Sequence, residues 1–283
     1  MPALPPTSMI DRIIWLIETR AGEALGLDEI AGHAGVSRSH LSRIFPLATG
    51  HSLFGYLRAR RLTEAARVLA SGATDILSVA LEAGYGSHEA FTRAFRDQFG
   101  LTPDELRRRG TLSDIALVEA LPMNDQTSIN FTPPTIETRE AMRFAGLAER
   151  IDMSSPGGFA GIWQRFGQHL GHIPGAAGPA AYGIVGSADD TSCDYMAGVE
   201  LSPTADVPAG FREMRAPARR WARFSHLGHV SSIRSTIRAI YDTWLPGSGE
   251  AQAEDVSFIE YYGPDFDPMT GLGTCEIWIG LKG

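Results

Sequence analysis

The sequence predicts two domains of different class: an all-α half with tandem helix-turn-helix units, then an α+β half in which a strand-helix-strand-strand module occurs twice. Three observations carry this. Apolar residues recur at helical spacing through residues 1–110, and a pattern of small, polar and aromatic residues returns there at an offset of 49 to 50 positions. Beyond residue 136 the texture changes to short runs rich in aromatic and β-branched residues, interrupted by two longer helical stretches.

The totals set outer bounds. The chain has 283 residues, 43% hydrophobic and 20% charged, which suits a folded chain of about two ordinary domains. No apolar run approaches the ~20 residues of a membrane helix, and 1–8 lacks a basic stretch leading into an apolar one, so a cytoplasmic chain with no membrane partner is expected. Two cysteines, Cys193 and Cys275, in a chain large enough to bury a core without staples are expected as free thiols. A net charge of −8 is the wrong sign for a partner of nucleic acid. The halves differ, however: residues 1–110 hold 13 Arg against 12 acids, whereas residues 111–283 hold 12 Lys plus Arg against 21 acids. Arginines cluster at 58, 60, 61 and 67 and again at 93, 96 and 107–109, so a basic face can exist on a near-neutral first half.

The elements follow in order. Ile10, Ile13, Ile14 and Ile17 mark an opening helix over 9–21 with Ser8 as N-cap. A short helix over 27–34, the turn Gly35-Val36, and a helix capped by Ser37 and running to about Ala48 make the first helix-turn-helix. Gly50 ends it, and a long helix over 53–70 closes at Gly72. Then Ala31, Gly35 and Val36 return as Ala80, Gly84 and Tyr85, while Ser37, Leu41, Arg43, Phe45 and Gly50 return as Ser87, Phe91, Arg93, Phe95 and Gly100; the extra turn residue Gly86 accounts for the changed offset. Thr102 caps a last helix with Pro103 at its first position. Residues 111–136, with Pro122, Pro133 and Pro134, read as a linker. Strands are expected at 139–147, 181–186, 195–201, 211–216, 220–226, 257–262 and 274–281, with helices at 158–170 and 230–245, the second ending near Pro246.

In a helix-turn-helix the second helix lies in the major groove with polar side chains on base edges. The stretch from Ser37 to Phe45 suits this, since Leu41, Ile44 and Phe45 can face inward while Arg38, Ser39, Ser42 and Arg43 face out; 87–95 repeats it. Small helical bundles use similar turns, so spacing alone leaves the DNA reading open. The run 37–45, then Gly50-His51-Ser52-Leu53, Tyr56 and 58–62, followed by 80–85, Ser87, 91–95, Phe99-Gly100 and Thr102-Pro103, resembles the DNA-binding domain of the AraC/XylS family over residues 8–110. The resemblance implies double-stranded DNA as partner, with Ser39, Ser42 and Arg43 in the first unit and His88, Glu89, Ala90 and Arg93 in the second at base-contacting positions; Arg38, on the outward face of the first reading helix, and Arg96, placed to meet the backbone, complete the candidate contacts. Two positions depart from familiar members: Ser39 is small, and Glu89 is acidic, able to accept only from cytosine N4. The first unit is therefore the expected base reader, and the second is expected chiefly to position the chain on the backbone.

The second half holds no zinc spacing, phosphate loop or Gly-flanked nucleophilic serine, and no cofactor is expected. On a strand Phe258, Glu260 and Tyr262 share one face. A carboxylate between aromatics either faces a cationic ligand or lies at a solvated edge of an aromatic core, and spacing alone favours the second. Arg220 to Phe224 leading into a helix after Gly228, then Phe258-Ile259-Glu260-Tyr261-Tyr262 and Cys275 to Leu281, resemble a GyrI-like effector-binding domain over 137–283; its pairing with an AraC-type reader resembles Rob-type regulators. That resemblance implies a groove between the duplicated halves for a cationic or amphipathic small-molecule effector, with Glu260 in it and Tyr195, Trp163 and Tyr262 lining it. The expected protein is not an enzyme but a DNA-binding regulator, a monomer or weak dimer, with RNA polymerase as a candidate partner. The alternatives are a hydrolase using Glu260 as general base and a ligand-free protein-interaction module.

Overall fold

A computed structural model describes residues 8–73, 75–123, 132–152, 158–189, 191–256 and 258–283. The middle of the expected linker, 124–131, and Ser257 at the start of an expected strand lie outside the described residues. The chain divides into two compact units, Met1–Arg38 with Leu53–Asp125, and Ser39–Ser52 with Gln126–Gly283.

Among the described residues, seven helices precede the first strand: α1 Met9–Arg20, α2 Leu27–Ala34, α3 Arg38–Thr49, α4 Leu53–Ala70, α5 Ile76–Glu82, α6 His88–Phe99 and α7 Pro103–Arg109. Their ends are set by the caps legible in the sequence. Ser8 accepts from the Asp11 N–H, Ser87 from Ala90, and Thr102 with Glu105 forms a capping box behind Pro103. The duplication is visible in hydrogen bonds. Gly35 and Gly84 both sit at positive φ (75° and 79°), the Val36 N–H donates to the Ala31 carbonyl, and the Tyr85 N–H donates to the Ala80 carbonyl. The two turns are the same backbone motif built twice. Leu62, Ala66 and Leu69 of α4 pack with Val79, Ala80, Phe91, Phe95 and Leu106 into one core, each at most 5% exposed.

Part of the expected linker is not a free connection. Residues 112–121 form an extended arm along α4, where Val118 N–H donates to Thr63, Leu121 N–H donates to the Tyr56 hydroxyl, and Leu112, Ile115 and Leu117 join the helical core. The arginine cluster of α4 is also turned to structural use. Arg60 is 5% exposed and grips Glu18, while Arg61 donates to the backbone carbonyls of Ala21 and Glu23. These two are lost to any basic face.

In the second unit the strands are β1 Thr135–Arg139, β2 Met142–Asp152, β3 Ala181–Ala188, β4 Ser192–Glu200, β5 Arg212–Ala216, β6 Arg219–His226, β7 Phe258–Tyr262 and β8 Cys275–Gly280. Helix α8, Gly158–Phe166, crosses from β2 to β3; α9, Ile233–Ala239, crosses from β6 to β7 and runs through a π-helical turn Ile240–Trp244 into Leu245–Ser248. The second helix thus passes Pro246, its expected end, because a proline in a first turn costs no hydrogen bond. Strand-helix-strand-strand occurs twice, as β2-α8-β3-β4 and β6-α9-β7-β8.

The strand order β1-β6-β8-β7-β3-β4-β2-β5 looks open but closes on itself. The register Thr135↔Arg223 to Arg139↔Arg219 continues without a shift into Met142↔Ala216 to Gly146↔Arg212. Thus β1-β2 and β5-β6 are two long bent strands paired along their length. Each module's leading strand extends the other module's edge, which removes exposed strand edges. β1 was hidden inside the expected linker because Pro133-Pro134 precede it. The closed inner face buries Phe144, Tyr182, Ile184, Met196, Trp221, Ile259 and Trp278. The outer face carries the helices: α8 lies on β2 and β4, and Trp244 meets Phe224 of β6.

Candidate ligand site and nucleic-acid interface

The seam of the duplicated sheet is the pair β3 and β7, where Gly183 stands opposite Glu260. Because side chains alternate, Glu260 and Tyr262 lie on the outer, helix-bearing face while Ile259 enters the core. Tyr195 of β4 donates to Glu260 Oε2 at 2.6 Å, Tyr262 donates to the same oxygen at 3.3 Å, and the Trp163 indole of α8 donates to the Tyr195 hydroxyl at 2.7 Å. All four residues expected at a ligand site are thus brought into one hydrogen-bonded chain. Glu260 Oε1 accepts no hydrogen bond among the described residues; the residue as a whole is half-buried, while its carboxyl group lies among the packed rings. Rings surround it: Trp163 meets Tyr262 edge-on at 5.0 Å, Phe159 meets Tyr195 at 4.9 Å, and Phe266 meets Tyr262 at 4.7 Å.

Burial raises the Glu260 carboxyl above the ordinary carboxylate range, and the hydrogen bonds from Tyr195 and Tyr262, then the charge of Arg234, pull it partly back. Burial also pushes both phenols well above their ordinary values, so they remain protonated donors. Cys193 and Cys275 are free thiols, as expected, and both are buried.

Gly183 is a site residue that pattern reading missed. A Cβ there would come within 2.3 Å of the Tyr195 hydroxyl and 2.4 Å of Glu260 Oε2. The signal was a glycine inside a β-branched strand, which marks a close approach. Only the register shows what approaches.

The two reading helices differ. On α6, Phe91, Ala94 and Phe95 are buried while His88, Glu89, Ala90, Arg93 and Arg96 are exposed. The carboxyl of Glu89 is held low by its own backbone N–H and by Ser87, which ties it to the helix start. On α3 the expectation that Ser42 and Arg43 face outward is overturned: they are 3% and 6% exposed. Arg43 donates to the backbone carbonyls of Glu254 and Asp255 at 3.1 and 3.2 Å. Amphipathic spacing fixes the face that must be buried, and nothing in it forbids cover on the polar face. Arg38 and Ser39 remain exposed, Arg38 paired with Asp28 at 3.2 Å.

Comparison with known proteins covers both halves. Residues 132–282 match the GyrI-like small molecule binding domain, and residues 30–109 match a helix-turn-helix domain. The chain is 40% identical over 286 aligned positions to the right origin-binding protein of Escherichia coli K12, spanning 96% of this chain and 97% of that one. It is 27% identical to transcriptional regulator Rob of Salmonella typhimurium across 92% of each chain. The probable transcription factor PqrA of Proteus vulgaris is 40% identical over 105 residues, 37% of this chain and 86% of that one.

Proposed function

Because the chain belongs to the AraC-type regulators that join a helix-turn-helix domain to a GyrI-like small molecule binding domain, we propose that the effector is an aromatic cation held at Glu260. One observation carries this reading: a carboxylate raised by burial, with one oxygen accepting from two phenols and the other accepting from no group among the described residues, stands among aromatic rings. Burying a lone carboxylate is unfavourable, and a cation beside it removes that penalty. Ring faces add about 0.5 to 2 kcal/mol of cation-π attraction.

Titrating the full chain with tetraphenylphosphonium, followed by tryptophan fluorescence, tests this against neutral triphenylphosphine oxide. The cation is expected to bind at least about tenfold more tightly, a difference of ~1.4 kcal/mol. Gly183→Ala should lose that binding, because its methyl displaces the Tyr195-Glu260 pair. Equal affinity for the neutral compound would sink the reading.

The raised carboxyl also suits a general base, which supports a second reading as a hydrolase. Turnover of a bound electrophile that vanishes in Glu260→Gln would establish it; stoichiometric binding without product favours the regulator.

For DNA, the proposed contacts are the exposed residues of α6 and, at the start of α3, Arg38 and Ser39, while Ser42 and Arg43 are covered in this structure. Two reading helices on one chain can reach adjacent major-groove segments, so a monomer on DNA in the cytoplasm is the working arrangement, with RNA polymerase as further partner. Arg93→Ala should weaken duplex binding and reduce the slope of log affinity against log salt by about one. A slope unchanged by Arg93→Ala would remove Arg93 from the interface.

A further inference from the structure

Beyond the end of α8 a cleft of about 260 Å³ lies between two turns of the second compact unit. Leu147 of β2, Pro174, Pro208 and Phe211 give it apolar walls, and the rings of His169 and His172 line it as well. Each turn is closed by its own backbone: the His172 N–H donates to the His169 carbonyl at 3.1 Å, and the Phe211 N–H donates to the Pro208 carbonyl at 3.1 Å. The chain leading to the second turn is held too. The Ser202 N–H donates to the Gly175 carbonyl at 2.9 Å, and Arg143 of β2 donates to the carbonyls of Pro203 and Ala205 at 2.8 and 3.0 Å. The cleft is therefore built into the backbone before any ligand arrives, as small-molecule sites are.

Its chemistry differs from that of the seam at Glu260. No carboxylate stands among the described residues that line it, so it offers a cation no opposite charge. Nor, among the described residues, does a third His, Cys, Asp or Glu join the two imidazoles to hold a metal ion. His172 Nδ1 lies 3.0 Å from the Leu170 carbonyl, which can only accept, so Nδ1 carries the proton and Nε2 is left as an acceptor. His169 and Phe211 stand edge-on, with ring centroids 5.1 Å apart. The cleft thus combines flat apolar and aromatic walls with one acceptor nitrogen, in a volume at the small end of ligand sites.

We propose that this cleft is a second ligand site, separate from Glu260, for a small uncharged planar aromatic that bears a hydroxyl: the ring lies against Phe211 and the prolines, and the hydroxyl donates to His172 Nε2. Burial of the aromatic body supplies the affinity, and the single hydrogen bond supplies the choice of ligand. The two sites share no lining residue. Buried Phe166 stands between them, 6.2 Å from Phe211 on one side and 6.0 Å from Trp163 on the other. The proposal therefore stands whether or not Glu260 holds a cation.

Equilibrium dialysis of the full chain at pH 7 against 2-naphthol, with 2-methoxynaphthalene as the same body lacking the donor, tests this. One 2-naphthol per chain is expected, bound about tenfold more tightly than the methoxy compound, the scale of one hydrogen bond. His172→Phe, an exposed substitution that keeps a flat ring and removes the acceptor, should erase that preference. Leu147→Trp, which fills the cleft from β2, should weaken both compounds about tenfold, with circular dichroism confirming that the variant is folded. Saturating tetraphenylphosphonium should leave 2-naphthol binding unchanged. Absence of 2-naphthol binding overturns the proposal, as does equal affinity for the two compounds or a preference that survives in His172→Phe. Displacement of 2-naphthol by tetraphenylphosphonium would move it to the seam and overturn the second site. Should the cation itself fail to bind, the reading of Glu260 falls, and His172→Phe and Leu147→Trp still decide the cleft.

Discussion

Glu260→Gln is expected to raise the thermal midpoint of the full chain at pH 8 while weakening tetraphenylphosphonium binding at least about tenfold. The carboxyl is raised in the folded chain, chiefly by burial. A raised folded value means that the folded chain holds this proton more tightly than the unfolded chain does. Its stabilising contribution is present in full below the ordinary carboxylate range and is lost as pH climbs through the raised value. Above that window ionised Glu260 weakens the fold, and glutamine, neutral and of the same shape, can still accept from the two phenols without that cost. The variant and the unaltered chain should therefore melt alike near pH 4 and diverge as pH rises. Cation binding has the opposite dependence, since it needs the ionised form and fades as pH falls through the same window. A lower midpoint for Glu260→Gln at pH 8, or undiminished cation binding, would contradict this account.

Arg60→Ala is expected to destabilise the chain by about 3 kcal/mol, the lower end of what breaking a buried ion pair costs. Arg60 donates to both oxygens of Glu18 at 2.8 to 3.1 Å, to Glu64 at 2.8 Å and to the Val118 carbonyl at 2.8 Å. Tyr56 donates to the same Glu18 at 2.6 Å, and its hydroxyl accepts from Leu121. Removing the guanidinium takes the charge partner from a carboxylate whose side chain is 18% exposed and removes one of the hydrogen bonds that hold the arm 112–121 to α4. Denaturant unfolding followed by circular dichroism measures the loss. The competing reading, in which Arg60 belongs to a DNA-facing basic cluster, predicts unchanged stability and a salt slope of DNA binding reduced by about one.

Arg60 and Arg93 show how far the sequence carries the interface. Both stand in arginine-rich helices, yet Arg93 is exposed on α6 while Arg60 pairs with a glutamate 42 positions earlier in the chain. Composition and helical spacing are the same kind of signal in both cases and cannot tell them apart. At the seam the balance is better. Alternation on β7 placed Glu260 and Tyr262 together, and the resemblance supplied Tyr195 and Trp163. Gly183 escaped notice because its importance lies in an atom it lacks, opposite a carboxylate 77 positions away.

What the sequence determined by itself is local: the caps at Ser8, Ser87 and Thr102, the repeated turn at Gly35 and Gly84, and the two strand-helix-strand-strand modules. These are set by groups within a few residues of one another, by backbone donors needing acceptors and by apolar faces needing burial. Tertiary structure alone decided the closure of the sheet by the exchanged leading strands, the docking of 112–121 along α4, and the burial of Ser42 and Arg43. The physical reason is the same in each case. A strand edge, an extended arm or a polar helix face declares what it can pair with, but which distant partner it meets depends on the whole chain's packing.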